Sequence, residues 1–170
     1  MEGGDALGLI AEIGIAIAGF AGVIATLRAP GGKMGSYAAM RIGSLLGQSA
    51  IVVLLALLPF ALHFAGLSVR VIWVVSSSAM AVLVMTAFLV VLRVAKTVVP
   101  VREEDRTSGS KFAFVSVIAA TTGIVALQLG NLTSLQQLWP FYVGLLALIT
   151  QSLFAFGYIL FSPSRAEVQP

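Results

Sequence analysis

Five apolar runs, at residues 7–27, 42–65, 71–92, 112–130 and 140–161, constrain this chain more than any other feature. Each has about the 20 residues that a helix needs to cross the hydrocarbon core of a bilayer. Charged residues make up only 10% of the chain, against about 25% in an ordinary soluble globule, and the mean hydropathy is +1.03. That leaves too little polar surface to coat a water-soluble core. The expectation is an all-α, polytopic membrane protein forming a single transmembrane domain of five helices. The N-terminus has neither a basic stretch nor a small-residue cleavage site, so the first run reads as a retained span.

The distribution of Lys and Arg gives an orientation. Arg28, Lys33 and Arg41 follow the first run; Arg93, Lys96, Arg102, Arg106 and Lys111 lie in or beside the third connection; Arg165 is in the tail. Placing these on the cytoplasmic side leaves only Arg70 outside. The N-terminus, with Glu2 and Asp5, is then outside and the C-terminus inside. The net charge of +3 therefore reads as topology, and no basic motif points to nucleic acid. The stretch VREEDRTSGSK at 101–111 reads as a solvated cytoplasmic loop. Trp73 at the outer end of the third run, and Trp139, Phe141 and Tyr142 at that of the fifth, read as an interfacial aromatic belt.

Candidate functional residues are the polar groups inside or bordering the spans. Glu12 is the single charge in the first run, and an ionisable group there is a functional hypothesis by default. On the same helix Gly14, Ala18 and Gly22, spaced by four, predict a close packing face. Glu12 lies on another stripe with Gly8, Ala16, Gly19 and Val23. His63, Ser76, Ser77, Gln128 and Asn131 fall in the outer half on three further spans. If they converge with Glu12 they form a polar vestibule. Gln151 at the middle of the fifth span is expected to bond across to Thr121 or Thr122 on the fourth, with a polar pore ring as the sharper alternative. Gln48 belongs to the same undecided class, and Pro59 is expected to kink the second span. Asn131-Leu132-Thr133 matches the glycosylation acceptor pattern, although almost at the membrane surface.

Enzyme chemistry finds no support. With one His and no Cys there is no catalytic dyad at a recognisable spacing, no metal-ligand cluster and no phosphate-cradling glycine loop. No cofactor is expected. In EIGIAIAGFAGVIATLR, LLALLPFAL and LQLGN with LWPFYVGLLALITQSLFAF, about half the chain resembles a group of small bacterial multi-spanning membrane proteins. The resemblance implies a bacterial inner membrane and no particular activity. The leading expectation is a small homo-oligomeric channel or transport protein for cations, with Glu12 as its outer charge. The alternative is a non-catalytic accessory or sensor subunit that assembles with another membrane protein. Membrane lipids are the remaining expected partners.

Overall fold

The computed structural model describes residues 3–27, 36–98 and 108–161. In order these form α1 (Gly4–Leu27), α2 (Ser36–Phe64), α3 (Val69–Val98), α4 (Ser108–Gly130), a π-helical turn (Asn131–Leu135) and α5 (Leu138–Phe161). All five helices are long and apolar enough to cross a membrane, the make-up of a multi-pass membrane protein. Glu2, Arg28, Lys33, Arg102, Arg106 and Arg165, and the 101–111 stretch as far as Thr107, lie outside the described residues.

Two tight connections set the order of the bundle. α2 stops where Gly66 takes φ +77. The Leu67 N–H then donates to the Leu62 carbonyl at 3.3 Å and the Gly66 N–H to the His63 carbonyl at 3.0 Å. This double closure satisfies the last carbonyls of the helix and needs a residue without a Cβ at the left-handed position. The chain turns back at once into α3. At the far side of the same end, α4 runs into its π turn, and Gln136 reverses the chain at φ 49, donating its N–H to the Asn131 carbonyl at 3.0 Å. We call this end, which also holds the start of α1, the hairpin end.

Lipid offers apolar side chains as good a home as another helix does, so packing quality decides which faces meet. α5 packs against all four other helices, α2 against α1, α3 and α5, and α4 against α3 and α5. The seam of α1 is Leu7, Ile10, Ala11, Gly14, Ile17 and Ala21, all buried. Alternating steps of three and four keep such a seam on one side of a helix. Within the expected Gly14, Ala18, Gly22 ladder only Gly14 is in the seam. A Cβ there would sit 2.8 Å from Val53 Cγ2 and 3.5 Å from the Ser49 carbonyl oxygen, whereas at Gly22 it would meet nothing within 4 Å. A strict spacing of four drifts about 40° per step off a 3.6-residue helix, which carries Ala18 and Gly22 out of the contact.

The aromatic belt also needs correction. Trp73 is 5% exposed and Phe141 0%, their ring centroids 6.1 Å apart at 43°. They join α3 to α5 inside the bundle. Trp139, half exposed, donates its indole N–H to Gln137 Oε1 at 3.0 Å. α2 continues through Pro59 to Phe64, with Pro59 buried in the core.

Candidate functional site

The polar residues do not gather into one vestibule. They divide among three places, two inside the bundle and one on its surface, and His63 lies apart from all three.

The first place is a buried clamp at the hairpin end. Asn131, wholly buried, opens the π turn, and its Nδ2 donates to Ser77 Oγ of α3 at 2.8 Å. The same nitrogen donates to the Gln137 carbonyl at 3.1 Å, and Oδ1 accepts from the Gln137 N–H at 3.0 Å. One amide thus holds α3, the end of α4 and the start of α5. One turn earlier on α4, Gln128 Nε2 donates to the Pro140 carbonyl at 2.9 Å. Gly144 makes room beside it: a Cβ there would lie 2.5 Å from Met80 Sδ and 2.7 Å from Gln128 Nε2. Burying an amide is costly unless it is bonded, and here the amides are spent on holding helices together. Gln128 Oε1 and Ser76 Oγ are buried without a hydrogen-bond partner among the described residues. The acceptor pattern at Asn131 is likewise closed, because its amide nitrogen is buried and doubly engaged.

The second place is deeper. Gln48 Nε2 of α2 donates to the Leu148 carbonyl at 3.2 Å and to Gln151 Oε1 at 3.3 Å, so the partner of Gln151 is on α2 and not at Thr121 or Thr122 on α4. Thr121 is buried and Thr122 exposed. α2 and α5 meet along this line.

Glu12 is the third place. Taking its direction on the helix as zero, Asp5, Gly8, Ala16, Gly19 and Val23 fall within about 40° of it, and the buried seam lies on the opposite side. Burying the seam therefore turns Glu12 outward. Glu12, Asp5, Ala16, Gly19 and Val23 are exposed and Gly8 half-buried. An open groove of about 600 Å³ runs down this stripe, lined by Gly4, Asp5, Gly8, Leu9, Glu12 and Phe60. Phe60 belongs to α2 and closes one side, where a Cβ on Gly4 would meet its ring at 3.4 Å. At about 1.5 Å of rise per residue Glu12 lies about 12 Å along the axis from the start of α1. Among the described residues it has no ion-pair or hydrogen-bond partner. His63 is exposed at the end of α2, its ring 6.5 Å from that of Phe64, and takes no part in the groove.

Sequence reasoning picked out Asn131, Ser77, Gln128 and Gln151 but missed Gln137, Pro140, Met80 and Gly144, which complete their surroundings. All four act through backbone atoms, shape or absence of a side chain, none of which carries a chemical signature. Phe60 was missed for the same reason: it is one apolar residue among many. No three His, Asp or Glu side chains among the described residues lie close enough to hold a metal ion. No protein family, curated protein or solved structure matches this chain, so its function must be argued from these three places alone.

Proposed function

We propose that this chain is a non-catalytic membrane subunit that works by assembling with another membrane protein, using the outward stripe of α1 as its docking face. The observation that carries the reading is Glu12, a carboxylate on the exposed, outward side of an apolar helix with no partner among the described residues. On insertion scales a charged side chain at the centre of a helix costs about 2.5–3.5 kcal/mol. Such a group is retained more economically where another chain covers it. The small residues along the same stripe support this, because Gly and Ala let a second backbone approach closely.

The hairpin end faces away from the cytoplasm in this reading, in a bacterial inner membrane, as the Lys and Arg distribution suggests. The internal amides act as ties that keep α3, α4 and α5 rigid behind the docking face.

A ring of copies conducting cations, with Glu12 on a shared hydrated axis, is the second reading, and the outward position of Glu12 favours it too. Two measurements separate them. Photo-crosslinkers placed at Gly8, Ala16 and Gly19 in cells should all reach the same partner protein, while one at the exposed Val117 on α4 should not. Purified chain in liposomes should pass no cation current. A current abolished by Glu12→Gln would refute the assembly reading in favour of the channel.

A further inference from the structure

Resting on the reading of α1 as a docking face, we infer the chemistry of what docks there: a transmembrane helix carrying a Lys or Arg that enters the Glu12 groove. The groove is negative at both ends, Asp5 at its mouth and Glu12 at its foot, and both carboxylates are exposed. Its occupant must therefore be cationic where it reaches Glu12.

The depth narrows the choice. Glu12 lies about 12 Å along α1 from the hairpin end, two turns inside the apolar helix. A phospholipid amine would also bring its phosphate against Asp5. A long basic side chain has no such anion, and its apolar stem suits the walls formed by Leu9 and Phe60.

A second copy of this chain does not fit. Across a twofold axis Glu12 would meet Glu12, and like charges repel. Arg70 and Arg93, the Lys and Arg residues whose side chains are described, are also at the wrong heights. Arg70 is the second residue of α3, at the hairpin end, and Arg93 lies toward the opposite end of the same helix. Neither meets Glu12 when two copies stand side by side in one membrane.

Beyond the groove the stripe continues through Ala16 and Gly19, both exposed, and a Cβ at Gly19 would meet nothing within 4 Å. From Gly8 to Gly19 this open track runs about 16 Å. That is long enough for a helix to lie against and too long for a single headgroup. The partner helix presents small residues where it crosses Gly8 and Gly19, with its cation between them.

The test uses the full chain in phosphatidylcholine vesicles, donor-labelled through a Ser134→Cys substitution on the exposed hairpin. The probes are acceptor-labelled Leu/Ala transmembrane peptides carrying one Lys at the depth of Glu12, the same peptide with Leu in that place, and a third with Lys moved to the opposite leaflet. Energy transfer should show the first peptide binding about 10-fold or more tighter than the other two. That preference should vanish with Glu12→Gln, and Glu12→Lys should transfer it to a peptide bearing Glu. Because Glu12 is exposed, both variants should keep the thermal stability of the parent. Equal binding of the Lys and Leu peptides would overturn the cation inference while leaving the docking face in place. No binding by any peptide also overturns it, and if the α1 crosslinks are missing as well the assembly reading falls with it. Self-association that displaces the peptides would name a second copy as the occupant and refute the proposal.

Discussion

Asn131→Ala removes three hydrogen bonds at once: two donated by Nδ2, to Ser77 Oγ at 2.8 Å and the Gln137 carbonyl at 3.1 Å, and one accepted by Oδ1 at 3.0 Å. Individual bonds contribute about 0.5–1.5 kcal/mol in water, and interhelical bonds in a membrane protein average about 0.6 kcal/mol with a maximum near 1.7. Three bonds at these values sum to about 2–4 kcal/mol. One effect works against the upper figure, because a released Ser77 hydroxyl can bond back to its own helix. Another supports it, since the Gln137 N–H and carbonyl lose their partner in a segment that has no regular helix to fall back on. We therefore expect a loss of about 2–3 kcal/mol, read as the change in unfolding free energy by steric trapping in bicelles. A double-mutant cycle with Ser77→Ala should return a coupling of about 0.6–1.7 kcal/mol. A loss under about 0.5 kcal/mol, within the range of ordinary surface substitutions, together with zero coupling would refute the view that this amide ties the three helices.

Three further outcomes follow from the same geometry. Gly14→Ala should destabilise by about 1–3 kcal/mol because its Cβ meets the stiff Val53 side chain at 2.8 Å, while Gly22→Ala, with nothing within 4 Å, should be neutral or slightly stabilising in the same unfolding assay. Gly144→Ala should cost about 1–3 kcal/mol through Met80 and Gln128. Adding Met80→Ala, which clears the nearer contact, should recover part of that loss, and no recovery would show that the space is not shared. In translation with microsomes, Asn131 of the folded chain should receive no glycan, since its amide nitrogen is buried; efficient glycosylation of stably folded protein would contradict the clamp.

Much of the architecture was legible because the bilayer demands it in composition. Runs of the right length mark all five helices, and the 66–70 connection could be read as a tight turn because only Gly66-Leu67-Ser68-Val69-Arg70 separates two runs. The direction of Glu12 was half legible. Its stripe follows from helical periodicity, and so does its separation from the packing face. Which of several small-residue ladders would become that face did not follow, because Gly14, Ala18 and Gly22 look alike until a neighbour selects one. The same ambiguity sent Trp73 and Phe141 to an interfacial belt when they stack between α3 and α5.

For the polar residues, the chain by itself indicated that Gln151 must find a partner, since an amide in lipid has no water to turn to, whereas Gln128 and Asn131 read as lining a polar vestibule. It could not say which partners these amides would find, because a helix of this composition packs almost equally well on several neighbours. The sequence alone established five apolar helices and one charge, Glu12, within the first apolar run. Only the tertiary structure decided that this charge faces away from the bundle, because burying the Leu7 to Ala21 seam against α2 and α5 leaves the opposite side of α1 exposed.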